Sequence, residues 1–195
     1  YPNCGYGGHF FYWIFSDDPQ PYGSYGNGSA MRISPVGFVA DSTEQAKALS
    51  QAVTEVSHDH PEGLKGAEAV AVAIFLARTG SSRHEIRDYI DKNYYPMDFT
   101  LDQIREDYSF DVTCQGSVPQ AFQAFFESQG FEDAIRNAIS IGGDSDTIAA
   151  ICGGLAQAYY GIPAPIRNQA IAYLDDHLVE IVDTFESVYP IHPNK

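Results

Sequence analysis

Ile141-Gly142-Gly143-Asp144-Ser145-Asp146-Thr147-Ile148-Ala149-Ala150-Ile151-Cys152-Gly153-Gly154-Leu155-Ala156-Gln157-Ala158-Tyr159-Tyr160-Gly161 decides the fold. From residue 148 to residue 158 it is small and apolar on nearly every side. A helix without a polar face belongs inside a protein. Gly153-Gly154 lets a neighbouring helix approach closely, and Gly161 with Pro163 ends the run. A second run of this kind covers residues 67–77. It follows Asp59-His60-Pro61-Glu62, where Pro61 suits a first helical position, and Gly80 closes it.

Two buried helices need a jacket, and the rest of the chain supplies helical periodicity. After the capping text Asp41-Ser42-Thr43-Glu44, Ala46, Leu49, Val53 and Val56 recur at helical spacing. Further helices are predicted at 83–93, 101–108, 118–128, 131–139, 165–174 and 178–185. Ser117 reads as an N-cap, and Leu178, Val182 and Phe185 mark one face. Residues 1–40 differ, with Gly5, Gly7, Gly8, Gly23, Gly26, Gly28 and Gly37 among Pro19, Pro21 and Pro35. That is loop chemistry, around a short apolar helix at 10–15 in which Trp13 reads as core. No strand pattern or repeat period appears. The class is all-α: a multi-helix bundle with a glycine-rich loop region at its N-terminus, one domain over residues 1–195.

Composition narrows the function. The 195 residues are 44% hydrophobic and 19% charged, which is globular. A net charge of −15 argues against nucleic acid and anionic membrane surfaces as partners. No apolar run reaches the roughly 20 residues of a membrane span. Cys4, Cys114 and Cys152 are odd in number and widely spaced, so a reducing compartment is expected, the cytoplasm. Cys114 has no basic partner in sequence and reads as a buried thiol. Tyr1-Pro2 carries neither a methionine nor a signal-peptide pattern, and the motif-dense text behind it leads us to expect a segment in front.

The acidic turn carries the sharpest chemistry. Residues i and i+2 of a helix point apart, so Asp144 and Asp146 converge only in a turn entering the helix. Gly142-Gly143 makes such a turn easy. Asp144, Asp146 and Thr147 then offer hard oxygens suited to Mg²⁺, Mn²⁺ or Ca²⁺; an ordinary N-cap is the other reading. Gly5-Tyr6-Gly7-Gly8 and Gly23-Ser24-Tyr25-Gly26-Asn27-Gly28 expose backbone N–H groups that form phosphate nests or serve only as turns. His58-Asp59-His60 is better read as helix-end capping than as zinc chemistry, with His58 left open as a ligand contact.

Taken in order, Gly5-Tyr6-Gly7-Gly8, residues 23–32, Ser57-His58 and residues 142–147 resemble the ADP-ribosylglycohydrolase family. These are the all-α hydrolases related to the dinitrogenase reductase-activating glycohydrolase. The resemblance implies a hydrolase that binds two divalent ions, Mg²⁺ or Mn²⁺, and acts on ADP-ribosylated proteins or small ADP-ribose conjugates. It assigns Asp144, Asp146 and Thr147 to metal. It assigns Gly5, Gly7, Gly8, Gly23 and Ser24 to diphosphate and ribose, and Tyr25 to adenine stacking. Asn27 and His58 become substrate contacts, within loops that also hold Tyr6 and Gly26. The family also has an upstream Thr-Asp-Asp metal motif and a nearby catalytic carboxylate. No Thr-Asp-Asp occurs here, and Ser16-Asp17-Asp18 follows the first glycine loop, so it inherits no role. The expectation is an N-terminally incomplete chain holding half of a two-metal site, with no catalytic residue assigned. Such a chain hydrolyses poorly unless a companion segment completes it. Apolar faces at 67–77 and 148–158 are expected to be exposed and to drive oligomerisation. A non-catalytic ADP-ribose-binding protein, or a structural relative like the J1 crystallins, is the alternative.

Overall fold

A computed structural model describes Tyr1 and residues 4–190. The described residues form twelve helices and no strand. They are α1 (Gly8–Ile14), α2 (Gly28–Met31), α3 (Ser34–Val39), α4 (Thr43–Thr54), α5 (Pro61–Arg78), α6 (Arg83–Asn93), α7 (Leu101–Ile104), α8 (Cys114–Phe126), α9 (Phe131–Ser140), α10 (Ser145–Tyr160), α11 (Ala164–Ile171) and α12 (Asp176–Val188). One isolated antiparallel bridge pairs Gly26 with Thr113. Among the described residues no helix is long and apolar enough to cross a membrane.

The helix α5 is the axis. Its buried residues run from Gly63 to Ala77 on all sides, and α2, α3, α4, α6, α8 and α10 surround it. The helix α10 is the second axis, burying Ile148, Ile151, Cys152, Leu155 and Ala156 against α2, α3, α5, α8 and α9. Phe122 and Phe125 of α8 fill the space between, both fully enclosed. Small residues set the spacing. A Cβ on Gly37 of α3 would lie 2.5 Å from Ile74 Cβ and 2.7 Å from the Ala71 carbonyl oxygen. One on Gly154 would lie 2.3 Å from Ser34 Oγ. Caps define the helix ends: Ser42 at α4, His60 with Pro61 at α5, and capping boxes at α6 (Ser82, Glu85) and α7 (Thr100, Gln103).

The structure departs from the sequence reading in four places. The helix α8 starts at Cys114 under a Thr113 cap and runs through Pro119, so Ser117 lies inside its first turns instead of capping it. The inward face of α4 is Ala46, Ser50 and Thr54, while Val53 and Val56 are each 44% exposed. Trp13 is half-buried and stacks on Phe10 (centroids 5.5 Å apart), outside the main core. Residues 67–77 and 148–158 do not present open apolar faces: Ala67, Val70, Ile74, Ile148, Ile151 and Leu155 are all 0% exposed. The exposure argument for an oligomer therefore falls. The helices α1, α11 and α12 have no fully buried residue.

Overpacking a tight helix contact costs about 1–3 kcal/mol. Gly37→Ala is expected to lower unfolding stability by at least that range, because the new methyl meets backbone as well as Ile74. Urea unfolding of the two proteins checks this; an unchanged midpoint contradicts the packing described.

Candidate functional site

The acidic turn is built by two consecutive left-handed glycines, Gly142 (φ 75°) and Gly143 (φ 65°). Gly143 is doubly constrained, since a Cβ there would lie 2.4 Å from Tyr108 Cε1. The turn delivers Asp144 to the N-cap position of α10, with φ −80° and ψ 61° and without a side-chain cap hydrogen bond. The carboxylate instead accepts from Asn27 Nδ2 at 2.7 Å and lies within reach of Asp146 and Thr147. Burial raises the Asp144 pKa, the Asn27 amide opposes that, and the neighbouring Asp146 carboxylate adds to it. Asp146 is exposed; Thr147 is buried, its hydroxyl near Met31 Sδ at 3.6 Å.

Asn27 joins this turn to the second glycine loop. Its Nδ2 also meets Ser117 Oγ at 2.9 Å and the Asp111 carbonyl at 3.4 Å. Ser117 donates its own proton to that carbonyl at 3.1 Å, so its oxygen is left to accept from Asn27. Backbone bonds fix the loop on the other side: Asn27 N–H to Val112 O (2.7 Å) and Cys114 N–H to Tyr25 O (3.0 Å). Tyr108 closes the floor by donating to Gly116 O at 2.7 Å, and burial pushes its hydroxyl up to about 12, so it stays protonated.

The loop 23–28 rests on the start of α5. A Cβ on Gly63 would lie 2.6 Å from Ser24 O, so this approach requires glycine. The Gly23 N–H donates to Asp59 Oδ1 at 2.7 Å, and the Gly26 N–H donates to Ser24 Oγ at 3.2 Å. Tyr25 is 46% exposed, its ring 5.0 Å from that of His60. His60 Nδ1 caps α5 by accepting from Glu62 N–H at 3.1 Å, while His58 turns toward Ser57 and Tyr22. The two histidines therefore do different jobs.

Asn27, Ser117, Asp144, Asp146 and Thr147 form one cluster, and loop 23–28 runs from it over His58. Gly5, Tyr6, Gly7 and Gly8 do not join it directly. Their glycines face open space, and α1 meets the rest through His9 against Tyr22 and Phe10 against Arg32. No group of three or more His, Cys, Asp or Glu side chains among the described residues is placed to hold a metal ion. The acidic turn supplies two carboxylates and a hydroxyl, a hard donor set that fits part of the coordination shell of Mg²⁺ or Mn²⁺. Sequence reasoning missed the parts played by Ser117, Asp111 and Tyr108, because they are set by contacts remote in sequence. Cys114 is a buried thiol pushed up to about 11 by burial, as its lack of a basic partner implied.

A helical bundle around two apolar helices, with a glycine loop tied to an acidic turn, defines the class. The chain belongs to the ADP-ribosylglycohydrolase family, whose model matches residues 5–191. Among its relatives, human ADP-ribosylhydrolase ARH3 is 25% identical over 186 residues, covering 72% of this chain and 51% of the human protein. The ADP-ribosylarginine hydrolase Tri1 of Pseudomonas putida is 28% identical over 162 residues, covering 77% of this chain and 42% of the relative. A solved structure described as an ADP-ribosylglycohydrolase-related protein complex shares the fold, with a TM-score of 0.62 and 24% identity over 78% of this chain and 58% of that one. The chain spans about half the length of the curated relatives it matches.

Burial, then the nearby Arg32 cation, lowers His58 to about 4, with Asp59 opposing. An unfolded histidine titrates near pH ~6.5, so between those values the unfolded chain binds a proton that the folded one refuses. The stability this adds is complete above about pH 6.5 and is lost as pH falls toward about 4, on the order of 2–3 kcal/mol. Wild type should lose urea resistance more steeply over that window than His58→Gln; equal slopes contradict the assignment.

Proposed function

We propose that this chain carries the ADP-ribose-facing part of a metal-dependent glycosidase. The enzyme would cleave the bond between ADP-ribose and a modified side chain or small acceptor. The relatives named for ADP-ribosylhydrolase and ADP-ribosylarginine hydrolase activity support the substrate class. The observation that carries the reading is the Asp144 carboxylate. It stands where a helix cap belongs, yet is turned to Asn27, Asp146 and Thr147.

Asp144, Asp146 and Thr147 would hold Mg²⁺ or Mn²⁺. Bound there, such an ion supplies Lewis-acid polarisation and an acidified water. Three oxygens are half of the about six that a hard cation takes. The rest would come from water, substrate hydroxyls or protein outside this set, so the two-metal site is read as half present here. Loop 23–26 would take the diphosphate on its backbone N–H groups, with Gly5, Gly7 and Gly8 contributing from the turn that leads into α1. Tyr25 offers adenine an exposed ring already backed by His60. Asn27 and His58 orient the ribose. No residue of the chain is assigned the proton transfer. The partners are an ADP-ribosylated protein or small conjugate, and a companion segment or second copy that completes the site. Three unpaired cysteines favour the cytoplasm. A second reading, binding without turnover, is favoured by the lack of a third carboxylate beside Asp144 and Asp146 among the described residues.

Calorimetry with Mn²⁺ and ADP-ribose tests the proposal. Mn²⁺ should bind and tighten ADP-ribose, and Asp146→Ala should weaken both about tenfold or more. Absence of heat from wild type with either ligand overturns it. The chain alone is expected to release little free ADP-ribose from an ADP-ribosylated peptide with Mg²⁺ present. Turnover abolished by Asp146→Ala would overturn the half-site reading and the binding-only reading together.

A further inference from the structure

The loop 23–28 lies over a hydrogen-bonded chain that begins away from the acidic turn. Arg32, just beyond α2, donates through Nη2 to Ser57 Oγ at 2.9 Å. The same Ser57 oxygen lies 2.9 Å from His58 Nδ1. Tyr22 covers this pair: its N–H donates to Ser57 O at 3.3 Å and its ring is 5.8 Å from that of His58. Arg32 also spreads its guanidinium over Phe10 at 5.8 Å, and no Asp or Glu pairs with it among the described residues. A cation held by a serine hydroxyl and an aromatic face has a task other than charge neutralisation.

The direction of each proton follows from chemistry. Arginine has donors and no acceptor, so the Arg32–Ser57 bond consumes a lone pair of the serine oxygen. Ser57 is 0% exposed, and a buried hydroxyl proton needs an acceptor. Arg32 and His58 are the polar partners of Ser57 Oγ among the described residues, so that acceptor is His58 Nδ1. A neutral imidazole carries one proton, and an accepting Nδ1 places it on Nε2. Burial and the Arg32 charge both disfavour the doubly protonated ring.

His58 Nε2 makes no hydrogen bond to the described residues, and the side chain keeps 5% exposed surface. It lies beneath the loop: a Cβ on Gly28 would be 3.5 Å from it and one on Gly26 3.7 Å. We propose that Arg32 and Ser57 are positioning residues that hold the His58 proton on Nε2, so that this nitrogen offers a hydrogen-bond donor at the Gly26–Gly28 turn to an acceptor oxygen of ADP-ribose. The ligand half of this rests on the ADP-ribose reading above; the proton's place does not. With the opposite tautomer the same nitrogen would repel phosphate and ether oxygens, while geometry and packing stayed unchanged.

Long-range ¹H–¹⁵N correlation spectra of the ¹⁵N-histidine-labelled chain at neutral pH read the tautomer directly. Wild type should show His58 protonated on Nε2 alone. Ser57→Ala and Arg32→Met should shift it toward the Nδ1–H form or a mixture, and weaken ADP-ribose about tenfold, the scale of one hydrogen bond lost. Ser57→Thr should restore both properties, which a purely structural loss would not show. A wild-type Nδ1–H or doubly protonated ring overturns the proposal, as does a Ser57→Ala protein with unchanged tautomer and affinity. A wild-type Nε2–H signal without ADP-ribose binding supports the relay and overturns the ligand reading.

Discussion

The amide of Asn27 holds the site together. Its nitrogen has two protons and no lone pair to offer, and all its neighbours are acceptors: the Asp144 carboxylate, Ser117 Oγ and the Asp111 carbonyl. Those partners come from α10, α8 and the segment before α8. The glycine loop, the acidic turn and the Tyr108 floor are therefore referenced to one small buried side chain. Because the amide holds Asp144, that carboxylate is not spent on its own helix end and stays grouped with Asp146 and Thr147. An Ala at this place would leave Ser117 Oγ without its donor and remove the hydrogen bond that ties loop 23–28 to Asp144.

Much of the fold could be read directly from the sequence. The cores of α5 and α10 show as helices without a polar face, and α6 shows through the spacing of Ile86, Tyr89 and Ile90. Errors arose where local pattern and tertiary contact disagree. Ser117 reads as the cap of a helix beginning at 118, yet α8 begins at Cys114 and accommodates Pro119 five residues further on. Ala46, Leu49, Val53 and Val56 read as one face; Ala46 is buried and Leu49 packs on the core, but Ser50 and Thr54 turn inward where the two valines stay exposed. The acidic turn was legible because its glycines and carboxylates are adjacent in sequence. Ser117, Asp111 and Arg32 were not, because their parts depend on hydrogen bonds to residues far along the chain.

The charge balance makes the local donors important. A chain of net charge −15 repels anions at long range, and salt screens this over about 8 Å at physiological strength. On the reading proposed above, backbone N–H groups and the His58 Nε2 proton would supply short-range attraction within that distance. In the proposed relay Arg32 works at one remove, through Ser57, by keeping the His58 proton on the nitrogen that faces the loop.

The contact between Gly23 and Asp59 has a further consequence. That backbone donor already holds a carboxylate oxygen, at the solvent edge of the loop. On the reading proposed above, a phosphate at this loop would take the Gly23 N–H only in exchange for the Asp59 carboxylate, so removing that carboxylate would leave the donor unclaimed.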